Sequence, residues 1–254
     1  MTVYPDDTKI WGPDVSFYQD DDNTARGIDF NKMKEQGADF VFIRAGQRSW
    51  FDPDFRLNWE AAKDAGLLRS AYWFLDARSS GGAQAALMKS LLDTEGWGEL
   101  PPVVDYEHKV RELEKISKTR TRSVWRYNNP IQLDDFIDTL KYPGNPIIYT
   151  GYYYWTYYGS PDPKYAQYPL WIARYEAIEP LIPKPWTDWT FWQFSDRGPG
   201  LVLGAESSRI DLNYFKEDRK KLFALTGQVD PSPPAPENKP CDCDCPACGD
   251  CSYK

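Results

Sequence analysis

The sequence predicts an α/β fold, an irregular TIM-like (β/α)5β3 barrel followed by a disordered Pro-rich and Cys-rich C-terminal tail. Three observations carry that expectation. Eight short apolar or aromatic runs recur along the body of the chain, as expected of strands buried on both faces. The first five are followed by segments with helical spacing, whereas turn-rich connections separate the last three. From Gln228 the composition changes abruptly to proline and then to cysteine. Alternating strands and helices with right-handed crossovers close most simply as a barrel.

Each element has its own signal. The strand runs start near Gly12, Phe40, Ser70, Pro102, Pro146, Pro169, Trp189 and Arg209. A helix is expected from Asp29 to Gly37, with an Asp cap and a closing Gly. A second, Asp54 to Gly66, carries Phe55, Leu57, Trp59, Ala62 and Ala65. Gly82 to Glu95 repeats Ala85, Leu87, Met88, Leu91 and Leu92 at helical spacing, and Ile131 to Leu140 is a fourth. The expected organisation is a catalytic barrel over 1–227, a Pro-rich linker over 228–240, stiff and extended, and a Cys-rich tail over 241–254.

Composition narrows the function. The chain has 254 residues and a net charge of −8, which argues against nucleic acid as a partner. No apolar run approaches the roughly 20 residues of a membrane span, so no membrane insertion is expected. The start, MTVYPDDTKIWG, lacks a basic segment followed by an apolar one. It reads as a chain made in the cytoplasm without a signal peptide. The first 240 residues contain no cysteine, which excludes thiol nucleophiles from the body. Aromatics reach 16%, enough for a ring-rich core and for a cleft of flat rings suited to sugars. Oligomeric state is not legible.

The chemistry centres on PPVVDYEH, residues 101–108. If this is a strand, Asp105 and Glu107 point to the same side with Cα atoms about 6.5 Å apart. Asp14 and Asp211 fall in the first and last strand runs, so four carboxylates would converge on the mouth formed by the strands' C-terminal ends. Clustered acids without His or Cys suit glycoside hydrolysis or metal binding. Crowding keeps one acid protonated, ready to give its proton to a leaving oxygen, while its ionised neighbour stabilises the developing cation. The abundance of Trp and Tyr favours the sugar cleft, with no cofactor for catalysis and no metal in the barrel.

An ordered series of segments over residues 10–215 resembles glycoside hydrolase family 25, the Chalaropsis-type lysozymes. GPDVSFYQ is similar to the family's opening strand, and IDFNKMKEQGADFVFIRAG to its first helix and second strand. DFRLNWEAAKDAGLLRSAYWFLDA, VVDYE, PIIYTG, PLWIARY, WTFWQFSD and RIDLNYF follow in the family's order. The resemblance implies an N-acetylmuramidase that cuts the β-1,4 bond between N-acetylmuramic acid and N-acetylglucosamine in bacterial peptidoglycan. It implies Glu107 as general acid, with Asp105 orienting the substrate's acetamide or stabilising the charged intermediate. Asp14 and Asp211 would tune this pair and hold substrate, Tyr72 and Tyr149 would contact the sugar, and Trp171, Arg174 and Gln193 would form the wall. Where the family often has His-Phe, this chain has Trp73-Phe74. With the start lacking a signal, the expected setting is a phage-type endolysin that lyses the host after release through a separate holin-type pore. A non-catalytic wall-binding barrel or virion component, or a chitinase-like glycosidase, are the competing classes.

Three features lie outside that pattern. His108, the only histidine, reads as a surface loop residue. Residues 109–126 carry seven Lys or Arg against two Glu, expected to form a solvated helix and loop, or a basic rim that attracts an anionic wall. Cys241, Cys243, Cys245, Cys248 and Cys251 could hold Zn²⁺, form disulfides, link to another chain, or belong to a tail without a role.

Overall fold

Runs such as FVFIRA have no polar face to offer to water, so they must be covered on both sides. In the computed structural model, which describes residues 2–20, 27–117, 120–175 and 178–227, they are the staves of a closed barrel. Its strands are β1 (Trp11–Val15), β2 (Phe40–Gln47), β4 (Leu68–Phe74), β5 (Val103–Asp105), β8 (Ile147–Gly151), β9 (Leu170–Ala173), β10 (Phe191–Pro199) and β11 (Arg209–Phe215). A two-residue strand, β3 (Trp50–Phe51), turns back on β2, and β6 (Lys109–Lys115) and β7 (Thr121–Tyr127) form a separate hairpin. Around the barrel the order is β1-β11-β10-β9-β8-β5-β4-β2, and pairing of β1 with β2 closes the ring.

The expected (β/α)5β3 alternation is present. Helices α1 (Phe30–Glu35), α2 (Phe55–Asp64), α3 (Gly81–Glu95), α4 (Pro130–Leu140) and α5 (Tyr152–Tyr158) follow the first five staves. Local chemistry sets their starts: Asp29, Ser80 and Asn129 each accept a backbone N–H of the first turn, and Pro130 occupies the first position of α4. Beyond them the described α-helices are α6 (Gly200–Leu203) and α7 (Arg219–Thr226), with a short 3-10 turn over Pro163–Gln167.

Most staves are parallel, but β11 runs antiparallel to both β1 and β10. Its first residues, not its last, therefore reach the mouth. The register pairs Asp14 directly with Asp211. The barrel interior is packed with rings: Phe42 stacks on Trp171 at 3.9 Å and meets Phe191 edge-on at 5.1 Å. Leu222 and Phe223 of α7 join the same cluster as the strand-starting Phe40, Leu68, Ile147 and Phe191, closing the floor. At the closing seam Gly12 is obligatory, because a Cβ there would lie 2.0 Å from the Phe40 carbonyl oxygen.

Two expectations are corrected. Residues 109–126 do not form a helix and loop; β6 and β7 pair antiparallel from Lys109↔Tyr127 to Lys115↔Thr121. The strand through Val103 ends at Asp105, although the Tyr106 N–H still donates to the Tyr149 carbonyl at 2.9 Å, which keeps Glu107 over the mouth. The linker and the five tail cysteines lie outside the described residues. No described helix is long and apolar enough to cross a membrane.

Candidate active site

The C-terminal ends of the parallel staves enclose a cleft of about 210 Å³ that brings Asp14, Asp105, Glu107 and Asp211 together. Tyr72, Tyr149, Trp171 and Gln193, all expected there from sequence, line it as well. Arg174 does not: its guanidinium lies 5.9 Å from the Tyr153 ring, and its backbone carbonyl accepts from Trp192 Nε1 at 2.8 Å. Trp171 contributes only an edge, since it is 2% exposed and stacked into the core.

Polar side chains on neighbouring staves hold the acids in place. Gln193 Nε2 donates to Asp14 Oδ2 at 2.9 Å and to Asp211 Oδ2 at 3.3 Å. Its Oε1 accepts from the hydroxyls of Tyr149 at 2.9 Å and Tyr175 at 2.8 Å, so both ends of the amide are committed. Asn213 Nδ2 gives Asp14 a second donor at 2.9 Å, and Asn213 Oδ1 accepts from Trp171 Nε1 at 2.8 Å. Asp105 differs. Its Oδ1 is buried and has no hydrogen-bond partner among the described residues.

Sequence reasoning passed over Asn213, Tyr175 and Arg44. Asn213 was discoverable, because it lies two residues from Asp211 on one strand and so shares its face. Arg44 was signalled by a charge inside the apolar run FVFIRA. It is the sole cation among the described residues lining the cleft, and its Nη2 donates to Gln47 Oε1 at 2.5 Å. The rings of Phe17, Trp50 and Phe74 surround its guanidinium at 5.4–5.9 Å.

Burial without a full set of cations raises every acid in the cleft. Burial lifts Glu107 to about 7, helped by the Asp14 charge. Asp211 rises to about 8 through burial and then the charges of Asp14, Asp196 and Glu107. Asp14 reaches about 6 through burial, held back by its bonds from Asn213 and Gln193. Burial and then the Glu107 charge push Asp105 well above the carboxylate range, with Arg44 opposing. Near neutral pH such a cluster holds protons on some carboxyls and charge on others, the condition for acid-assisted cleavage of an acetal.

His108 is not a surface loop residue. Its side chain is 12% exposed, its Nδ1 accepts the Ala77 N–H at 3.0 Å, and its ring meets Phe74 edge-on at 5.0 Å. It supports the rim beside Asp76, whose carboxyl pKa burial would raise but bonds from Arg78 and Gln47 hold well below the usual range. Among the described residues, no group of three or more His, Cys, Asp or Glu could hold a metal ion.

Comparison with known proteins gives a consistent picture. A family model described as glycosyl hydrolases family 25 matches residues 13–201. Lysozyme M1 of Streptomyces globisporus is 32% identical over 240 residues, covering 90% of this chain and 75% of that protein. A bacterial lysozyme structure from Streptomyces coelicolor superposes with a TM-score of 0.67 at 27% identity, over 86% of this chain and 97% of that one. The muramidase structure from Trichobolus zukalii gives 0.66 at 28% identity, over 86% and 100% of the two chains.

Proposed function

The chain belongs to glycosyl hydrolases family 25, and from this membership we propose how its four-carboxylate cleft cuts peptidoglycan. The protein is a glycoside hydrolase of the lysozyme type. The bond cut is the β-1,4 linkage on the reducing side of N-acetylmuramic acid, the muramidase specificity. Glu107 is the general acid: protonated, it gives its proton to the glycosidic oxygen as the bond to the sugar's C1 breaks. Asp105 faces the same sugar and takes the 2-acetamide N–H on Oδ1, orienting the acetamide oxygen toward C1. That oxygen bonds to C1 as the leaving oxygen departs with the Glu107 proton. Water then attacks C1, the C1 bond to the acetamide oxygen breaks and re-forms the acetamide, and the Glu107 carboxylate accepts the water's proton. Asp14 and Asp211 set the charge around the pair, while Tyr72 and Tyr149 face the sugar.

One observation carries this reading: Glu107, pushed up to about 7, shares the cleft with Asp105, whose buried Oδ1 has no partner among the described residues. The test is digestion of purified cell walls with mass analysis of the released fragments. New reducing ends at muramic acid are expected, and reducing ends at glucosamine would replace the muramidase reading. Glu107→Gln should lower cleavage by about 10²–10⁴-fold or more with folding intact. Near wild-type turnover would remove Glu107 from its role.

A further inference from the structure

The hairpin of β6 and β7 stands apart from the barrel sheet, and its charges are sorted by face. Side chains alternate along each strand, so register decides which residues share a face. Glu112 and Glu114 lie on one face with Arg122 and Arg126. There the charges cancel: Arg122 meets Glu114 at 2.8 Å, and Arg126 meets Glu112 at 3.4 Å. The opposite face pairs Lys109 with Tyr127, Arg111 with Trp125, Leu113 with Ser123 and Lys115 with Thr121. It has no acid. None of Lys109, Arg111 and Lys115 makes an ion pair with a described residue, and Arg111 meets only the neutral Ser123 hydroxyl by side-chain hydrogen bonding.

The same face leaves Trp125 52% exposed. Its ring continues into a stack with Tyr127 at 6.4 Å and then Tyr158 at 4.0 Å, while the Lys109 ammonium sits 4.8 Å from the Trp125 ring. Neither feature contributes to a core. In a chain of net charge −8, three cations without acidic partners and a half-exposed Trp on one face are an unusual concentration. The hairpin begins two residues after Glu107, and its base is tied to the rim where the His108 N–H donates to Asn128 Oδ1 at 2.7 Å and Asn128 Nδ2 donates to the Leu75 carbonyl at 2.7 Å.

We propose that this face is a second docking surface for peptidoglycan, holding a stretch of the carboxylate-bearing polymer outside the cleft that cuts it. The exposed ring supplies a platform for the apolar CH face of a sugar. The three cations meet the free carboxylates of the peptide stems, a complementarity the acid-lined cleft does not offer. This rests on the peptidoglycan reading above and adds a surface to it.

The test uses the full chain. Binding is read by co-sedimentation of a Glu107→Gln protein with peptidoglycan sacculi stripped of phosphate-containing polymers, at low and high salt. Activity is read on those sacculi and on a short soluble glycan that occupies the cleft alone. The variants R111E/K115E and W125A should each lower retention and sacculus turnover by about tenfold, with soluble turnover unchanged. High salt should release the parent protein from sacculi as well, since exposed charges are screened over about 10 Å at 0.1 M. E114Q/R122Q, which removes one ion pair of the other face without changing the net charge, is the control and should leave retention at the parent level. Retention of the R111E/K115E and W125A proteins at the parent level would overturn the proposal, as would equal losses in the control or binding only to sacculi that keep their phosphate polymers. If the parent chain cuts neither substrate, the peptidoglycan-cleaving reading itself falls, whereas loss confined to sacculi speaks to the hairpin alone.

Discussion

A carboxyl group donates a proton at neutral pH only where its surroundings keep that proton on. At Glu107 burial is the larger cause and the Asp14 charge the second. Removing that charge should lower the pKa of Glu107. Asp14→Asn is therefore expected to move the alkaline fall of activity to lower pH, by about one unit or less for a single neighbouring charge. The measurement is the pH profile of kcat/KM, and an alkaline limb left in place would show that Asp14 does not tune the acid. The acids themselves were legible because aspartate and glutamate stand out in apolar strand runs. Gln193 was read as wall, yet it is the amide that joins Asp14, Asp211, Tyr149 and Tyr175. That role depends on partners 18 to 179 residues distant and has no local signature.

Among the elements, β1 carries a tight constraint at the closing seam. Gly12 lies where the first and second staves approach each other, and its missing side chain lets the ring close. Gly12→Ala drives a methyl group into backbone rather than into a flexible side chain, so it should destabilise the fold by about 1–3 kcal/mol or more. Chemical denaturation checks this, and an unchanged midpoint would mean that the seam can open without cost. The first four helices were predicted nearly to the residue because caps and periodicity are local, whereas α5, α6 and α7, short and in the turn-rich half, were given no bounds. Residues 109–126 were misread for a related reason. Val110, Leu113 and Ile116 are spaced three apart, as on a helix, but the cross-strand pairs that make a hairpin are invisible until β7 is folded back.

Over the whole molecule, the barrel forces acids from both ends of the chain into one buried volume, and stability should record it. Asp14, Glu107 and Asp211 all have folded pKa values raised above their unfolded ones, to about 6, 7 and 8. The folded state then binds more protons than the unfolded state between these limits. The stabilisation is complete below the unfolded values near 4 and is lost as pH rises through 6 to 8. The melting temperature is expected to be lower at pH 8 than at pH 5. Asp211→Asn should recover at least about 1 kcal/mol at pH 8, the worth of a shift of roughly one unit. A melting temperature that climbs from pH 5 to pH 8 would contradict this account of the cleft.

What could be read along the chain was whatever local chemistry specifies: which runs are strands, where helices start, which residues bear acids, and the ordered motifs of the family. The Asp-x-Glu spacing already implied two acids on one side, because alternation along an extended backbone is a property of the chain. The direction of β11 was another matter. An antiparallel return delivers Asp211 to the mouth near the start of its strand, facing Asp14, and pairing between the first and last staves sets that direction. Burial decided the rest. The same carboxylates in water would titrate near 4, and only enclosure with too few cations lifts them toward the pH at which an acid catalyst works.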